Sequence, residues 1–310
     1  MFAAMVLAAG LGTRLRPLTE HCPKCLVPVG DRPMLAHIFD RLSAAGAPRV
    51  VVNAHHRAAE VVAFVHARAS TPHSSRTGPR VAVSEEGDLL GTAGGLARAA
   101  GLLGAGPIVV WNGDVLADVD LAALAAAHLA APAADATLLV RPRADGQGKV
   151  GLDASGRVVR LRGERVAGEA RSADFLAVAI VGERLRDAMP ERGCVVGDVY
   201  IPALRRGAVI RSHVFAGAWL DVGGVAAYLD ANAAWLESKR AESWVHPAAR
   251  VAAGVGLERS VVGEGAVVSG GGALVRTVVW PGATAVAPLA DAVVVPGGLV
   301  VGRQLPETIT

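Results

Sequence analysis

Val6 to Leu35 reads V-L-A-A-G-L-G-T-R-L-R-P-L-T-E-H-C-P-K-C-L-V-P-V-G-D-R-P-M-L. The apolar run Phe2 to Ala9, which enters it, has the pattern of a buried strand. The run stops at Gly10, and Gly12 follows. Glycine lets a backbone bend tightly and come close to a ligand. Successive N–H groups in such a turn form a concave anion site. Arg14 and Arg16 place fixed positive charge beside it, and Lys24 adds another cation after Pro23. Strand, glycine turn and cations together predict a polyphosphate site. Two common phosphate motifs do not fit: the third glycine of G-x-G-x-x-G is missing, and no G-K-[ST] follows.

The run L-A-A-G-L-G-T-R-L-R-P-L-T, then P-K-C-L-V-P-V and R-P-M-L, resembles the signature of the sugar-1-phosphate nucleotidyltransferases, or NDP-sugar pyrophosphorylases. Cys25 is the local departure, where the family usually has Pro or another small residue. The resemblance implies a nucleotide-diphospho-sugar transferase fold, GT-A-like. It implies that Leu7, Ala8, Ala9, Gly10, Gly12, Thr13 and Arg14 bind the nucleotide, with Arg14 and Lys24 catalytic. Cys22 and Cys25 form a C-x-x-C. Redox or zinc chemistry there would need a thioredoxin-like context or a second ligand pair, and the sequence shows neither.

The chain has 310 residues, enough for one large domain or two. Hydrophobic residues make up 52%, ample for a core, and aromatics only 4%. Lys plus Arg number 31 against 28 Asp plus Glu, a near balance without a basic run, which argues against a nucleic-acid partner. No apolar run reaches the roughly 18 residues of a membrane span. No charged leader precedes the first strand. The three cysteines have no disulfide-framework spacing. The expectation is a soluble, cytoplasmic protein.

Beyond Pro33 the pattern alternates. Met34 to Ala45, Arg57 to Ala67 and Thr92 to Leu103 have helical spacing. Val50 to Val52, Val81 to Ser84 and Ile108 to Trp111 are strand-like, and Ser70 to Pro79 reads as an exposed loop. This alternation predicts a doubly wound, mostly parallel α/β sheet with ligands at the carboxyl ends of its strands. Gly10, Glu86 and Asp114 fall just past such ends. Ser84 to Gly95, S-E-E-G-D-L-L-G-T-A-G-G, resembles the family motif E-x-P-L-G-T-A-G with Leu89 for Pro. The likeness implies that Glu86, Gly91 and Thr92 line the base pocket. A carboxylate only accepts hydrogen bonds, which suits the N–H edge of guanine and tilts the expectation towards GTP. In the competing reading Glu85 and Glu86 are solvated loop charges and the backbone reads the base.

I-V-V-W-N-G-D ends at Asp114. A carboxylate at the mouth of a sheet suits a hard cation such as Mg²⁺, and the family's G-D metal motif implies the same. Asn112 reaches the sugar or ribose, or else shapes the turn. Asp118 and Asp120 are the expected start and cap of a helix over Leu121 to Ala130.

After a strand over Ala136 to Arg141 the elements shorten around Asp145-Gly146 and Ser155-Gly156. Val158 to Leu161 and Phe175 to Val181 read as strands of a smaller, mixed-sheet half. The resemblance makes this half the sugar-phosphate binder, with Gly148 close to the sugar ring. The family's F-x-E-K-P is absent. Its nearest equivalent, after a one-residue slip, is Glu164-Arg165, so Arg165 is the candidate phosphate contact against the plainer reading of a surface arginine. Leu176-Ala177 stands where the family reads the sugar with N-x-G.

The family pattern returns at Gly197 to Glu237, with a helix to Arg206 and a strand over Val209 to Phe215. G-A-W-L-D-V-G-G-V-A-A-Y-L-D-A-N resembles G-x-W-x-D-I-G-T-P-x-x-Y-x-x-A-N, and implies that Asp221 joins Asp114 in holding Mg²⁺. The implied reaction transfers a nucleotidyl group from an NTP to a sugar-1-phosphate and releases pyrophosphate. Such chemistry needs positioning and charge neutralisation more than covalent help. Arg14 would neutralise the pyrophosphate, Lys24 would draw the reactants together, and the Gly10 to Thr13 backbone would cradle the phosphates.

After about Ser243 the chain turns Val-, Gly- and Ala-rich. Val245, Val251 and Leu257 are six apart; after a one-residue slip so are Val262, Val268 and Leu274. This spacing predicts roughly three hexapeptide coils of a left-handed parallel β-helix over 244–303. They follow a nucleotidyltransferase domain over 1–240, whose halves divide near 141. A β-sandwich or hairpin array is the alternative. V-H-P-A-A-R-V resembles the opening of the β-helix in mannose-1-phosphate guanylyltransferases and related enzymes. So short a stub favours a regulatory or dimerising role, with a homo-oligomer formed through it, over acyl transfer. The favoured reaction is therefore GTP plus mannose-1-phosphate to GDP-mannose. A UTP- or dTTP-dependent enzyme for glucose-1-phosphate or an amino-sugar phosphate is the alternative. A weakly active regulatory member that binds nucleotide sugar is another, left open by the missing E-K-P.

Overall fold

The computed structural model describes residues 2–69 and 78–302. Most of the loop expected over Ser70 to Pro79 lies outside the described residues. Contacts divide the chain into two units: Met1–Leu11 with Ile38–Trp219, and Gly12–His37 with Leu220–Thr310. The division falls elsewhere than the boundary near 240 expected above. It groups the signature stretch and the last long helix with the C-terminal strands.

The first unit is a sheet with helical crossovers. β1 (Ala3–Leu7), β2 (Arg49–Ala54), β3 (Arg80–Glu85) and β4 (Ile108–Asn112) run parallel in the order β3-β2-β1-β4. Between and after them come α1 (Met34–Ala44), α2 (Ala58–Ala69), α3 (Gly91–Leu103) and α4 (Leu121–Leu129). Ala4, Met5, Val6, Val50, Val51, Val52, Ile108 and Val109 are all fully buried. Such unbroken apolar runs are what a sheet covered on both faces requires. Asp120 caps α4, its carboxylate accepting the Ala123 N–H at 2.9 Å. Asp118, expected at the same helix start, instead pairs with Arg41.

The smaller half makes the sheet mixed. Its strands are β5 (Ala136–Arg143), β6 (Val150–Leu152), β7 (Val158–Leu161), β8 (Arg171–Val181) and β9 (Ile210–Val214). β8 runs antiparallel to β4, β5 and β6, while β9 is parallel to β5. The β8–β5 register shifts between Phe175 and Ala179, and Ala177 there takes a left-handed φ of 59°. A bulge of this kind re-aims side chains and often lies beside a functional site.

In the second unit the six-residue spacing appears as coil upon coil. Val245 pairs with Val262 and Val262 with Val279; Val251 pairs with Val268 and Val268 with Ala285; Leu257 pairs with Leu274 and Leu274 with Leu289. Every one of these pairings is parallel, as in a β-helix and unlike a sandwich or a hairpin array. Val262, Val268 and Leu274 point inward, at 1% exposure or less. Hydroxyls stack at one corner: Ser260 N–H donates to Ser243 Oγ and Thr277 N–H to Ser260 Oγ, both at 3.1 Å across 17 residues. A 17-residue coil explains the slip, because two steps of six are followed by one of five. α5 (Val225–Lys239) belongs to this unit. Among the described residues, no helix is long and apolar enough to cross a membrane.

Candidate nucleotide site

In the first unit β1 lies between β2 and β4, so the chain winds away in both directions from it. Ligands of open α/β sheets bind at such a switch point, beyond the carboxyl ends of the strands. Leu7 is level with Asn112, and the Gly113 N–H donates to the Leu7 carbonyl at 2.8 Å. The segments Ala8 to Gly10 and Asn112 to Asp114 therefore leave the sheet side by side. Gly10 is exposed, and Asn112 and Asp114 are half-buried.

A buried polar chain lies beneath this edge. The Ala8 N–H donates to Asn53 Oδ1 at 2.7 Å, and Asn53 Nδ2 donates to Glu86 Oε1 at 2.6 Å. Glu86 Oε2 accepts the Leu90 N–H at 3.1 Å. Glu86 is only 4% exposed. Burial excludes the reading of Glu86 as a solvated loop charge. Both carboxylate oxygens already serve the chain, where they tie the loop after β3 to the first turn beyond β1. Asn53 was not anticipated, although its place at the end of V-V-V-N was the available signal. Gly91 packs closely, since a Cβ on it would stand 2.4 Å from the Gly193 carbonyl oxygen. Thr92 Oγ1 accepts the Val195 N–H at 2.7 Å, and the Ala93 N–H donates to the Gly193 carbonyl at 2.9 Å. The start of α3 is thus fastened to the segment before the helical turns at Val195–Tyr200.

On the smaller half, Gly148 has φ +79° and no room for a side chain: a Cβ would stand 2.5 Å from the Ala173 carbonyl oxygen. Close backbone packing thus accounts for the glycine without a ligand. Arg160 Nη1 donates to the Gly148 carbonyl at 3.2 Å, and its Nε and Nη2 form a fork with the Glu169 carboxylate at 2.8 Å each. That guanidinium, helped by the Ser172 hydroxyl, pulls the Glu169 carboxyl down to about 2. Arg165 is exposed and lies 3.1 Å from the same carboxylate. The structure favours the surface-arginine reading of Arg165.

The second unit brings four of the expected residues together. Gly12, at φ +63°, opens the turn at Thr13–Leu15. A Cβ on it would be 2.7 Å from Thr19 Cγ2 and 3.1 Å from Lys24 Cβ, so glycine alone lets this turn close on the lysine. The Gly223 backbone lies against both Arg14 and Asp221. A Cβ there would stand 3.1 Å from Arg14 Nη1 and 3.5 Å from Asp221 Oδ1. Thr13, Arg14 and Asp221 are exposed, and Lys24 is half-buried. Two cations, a glycine turn and a carboxylate thus share one open surface. Cys25 is buried and Cys22 half-buried, and neither is in a disulfide. Among the described residues, no three His, Cys, Asp or Glu side chains form a protein-only metal cage. Mg²⁺ does not need one, since it binds through one or two carboxylates plus phosphate oxygens.

The first unit's parallel sheet with helical crossovers and a switch point at β1 defines a doubly wound α/β protein. More narrowly, the chain belongs to the nucleotidyl transferase family, whose model matches residues 3–238. It is 33% identical over 296 residues to the mannose-1-phosphate guanylyltransferase of Mycobacterium tuberculosis, covering 90% of this chain and 80% of that one. It is 46% identical over 112 residues to the N-acetylmuramate alpha-1-phosphate uridylyltransferase of Caulobacter vibrioides, covering 36% of this chain and 45% of the relative. A probable mannose-1-phosphate guanylyltransferase of Arabidopsis thaliana is 29% identical over 249 residues, 77% of this chain and 66% of that one. The chain thus spans less than half of the Caulobacter relative and about two thirds of the Arabidopsis one. Among solved structures, HddC from Yersinia pseudotuberculosis complexed with GMP-PN superposes with a TM-score of 0.61 at 20% identity, over 76% of this chain and all of that one. At that identity the likeness is one of fold.

Proposed function

We propose that this protein transfers a nucleotidyl group from an NTP to a sugar-1-phosphate, most specifically GMP from GTP to mannose-1-phosphate. The observation that carries the reaction class is the grouping of Gly12, Arg14, Lys24 and Asp221 in one unit of a chain of this family. A sugar phosphate oxygen attacks the α-phosphorus, the bond to the bridging oxygen breaks, and pyrophosphate leaves with the negative charge. Arg14 offsets that charge, and Lys24 offsets the repulsion between α-phosphate and nucleophile. Asp114 and Asp221 are assigned to Mg²⁺, as the family motifs imply. Both are hard oxygen donors, each placed just beyond or at the end of a strand, which fits this ion. When bound it would supply further charge neutralisation at the phosphates.

The choice of GTP and mannose rests on the Mycobacterium relative, whose match runs along 90% of this chain. Glu86 is not part of that choice, since each of its carboxylate oxygens already accepts a hydrogen bond from the chain. Uridylyl transfer is the second reading, favoured by the higher identity to the Caulobacter protein over a shorter span. Pyrophosphate release should be measured with GTP, UTP, dTTP and ATP, each against mannose-1-phosphate, glucose-1-phosphate and N-acetylmuramate-1-phosphate. GTP with mannose-1-phosphate should give the highest kcat/KM. A UTP preference would replace the first reading with the second. Release with no pair would overturn both in favour of a binding role.

A further inference from the structure

The nucleotide loop is held from behind by the β-helix. Trp280 lies on the β-helix at 4% exposure, and its indole Nε1 donates to Tyr228 Oη on α5 at 2.9 Å. That hydroxyl donates in turn to the Pro28 carbonyl at 2.6 Å, four residues past Lys24. One turn along α5, Asn232 Oδ1 accepts the Gly30 N–H at 2.8 Å, and its Nδ2 donates to the Tyr228 carbonyl at 3.0 Å. A further turn on, the Trp235 ring lies against Gly30: a Cβ there would be 2.1 Å from it. The His21 ring stands edge-on to the Trp280 indole, centroids 6.4 Å apart. Trp280 therefore touches the loop directly ahead of Lys24, at His21, and reaches it through Tyr228 behind Lys24, at Pro28.

Tyr228 is fully buried and Asn232 is 2% exposed, so most of this relay lies away from solvent. Burial pushes the Tyr228 phenol up, which keeps it a proton donor at any working pH. A loop that must present cations to phosphates gains most from being fixed before the ligand arrives. We propose that Trp280 and Tyr228 are positioning residues for nucleotide binding. In this role the β-helix is part of the nucleotide site, holding the loop of Arg14 and Lys24 through the relay Trp280 Nε1, Tyr228 Oη, Pro28 carbonyl.

The proposal rests on the nucleotidyl-transfer reading, and its test separates the two. Tyr228→Phe removes one hydroxyl, and Trp280→Phe removes the indole N–H while keeping an aromatic ring. Hydrogen–deuterium exchange over residues 24–33 should quicken in both, while the β-helix amides keep their protection. The affinity for GTP and for UTP, measured by calorimetry, should fall about three- to tenfold, the worth of one relay bond. The double variant should lose little more than either single one, because both cut the same path. A purely structural role would lower Tm and leave exchange at 24–33 and nucleotide affinity unchanged, and that result would overturn the proposal. Failure of wild type to bind either nucleotide would count against the nucleotidyltransferase reading instead; unchanged exchange in Tyr228→Phe would then still overturn the relay.

Discussion

Asp114 and Asp221 have the same charge but different surroundings. Asp114 is half-buried where β4 ends, and Asp221 is exposed beside Gly223 and Arg14. If both serve Mg²⁺, Asp114→Asn and Asp221→Asn should each lower turnover by on the order of a hundred- to a thousandfold. The fold should persist, because amide and carboxylate have nearly the same shape; circular dichroism and a rate measurement in Mg²⁺ check both halves of this expectation. Glu86 should behave in the opposite way. Glu86→Ala leaves the buried Asn53 amide without its acceptor, a loss of about 1–3 kcal/mol, and frees the half-buried Leu90 N–H. Chemical denaturation should show that loss, while the ratio of GTP to UTP use in the surviving protein stays at the wild-type value. A changed ratio would restore Glu86 as a reader of the base. The sequence shows that Glu86 follows a strand; it does not show that Asn53, thirty-three positions away, takes its carboxylate.

At the scale of elements, the hairpin of β6 and β7 is tied to the segment that enters β8 by the fork between Arg160 and Glu169. The two side chains are each 11% exposed, so water screens the pair only partly. The Glu169 carboxyl lies near 2 in the folded chain against an ordinary 4.5. A carboxyl held low in the fold stabilises it fully above the ordinary value, and that contribution fades as pH falls towards the folded one. The stability gap between wild type and Glu169→Gln should therefore be constant above about pH 5 and close steadily from about 4.5 to about 2. Melting temperatures across that window check the expectation. Most elements were legible beforehand. Met34 to Ala45 and Ile108 to Trp111 match the structure to within one residue, and Phe2 to Ala9 contains the shorter strand Ala3–Leu7, since the strands are continuous apolar runs and the helix has its own period. The bulge at Ala177 was not, because nothing local in F-L-A-V marks a left-handed alanine.

For the whole molecule, the second unit predicts the outcome of truncation. Ending the chain at Ala241 would strip the coils from α5 and remove Trp280, the donor to the Tyr228 hydroxyl. Such a protein should lose nucleotide binding and cooperative melting together, as read by calorimetry and thermal denaturation. If an intact nucleotide site survived, the coils would be an appended module. By itself the sequence determined the α/β alternation, the stacked coils with their slip of one residue, and the family. These are repeating apolar periods or unbroken motifs, written in neighbouring residues. Only the tertiary structure decided that Glu86 bonds Asn53 and the Leu90 N–H, and that Thr92 accepts the Val195 N–H. It also grouped Arg14 with Asp221 and joined the signature loop to Trp280, 252 positions beyond Pro28. Hydrogen bonds between residues so far apart depend on where packing brings the chain back, and no local pattern of residue types encodes that return.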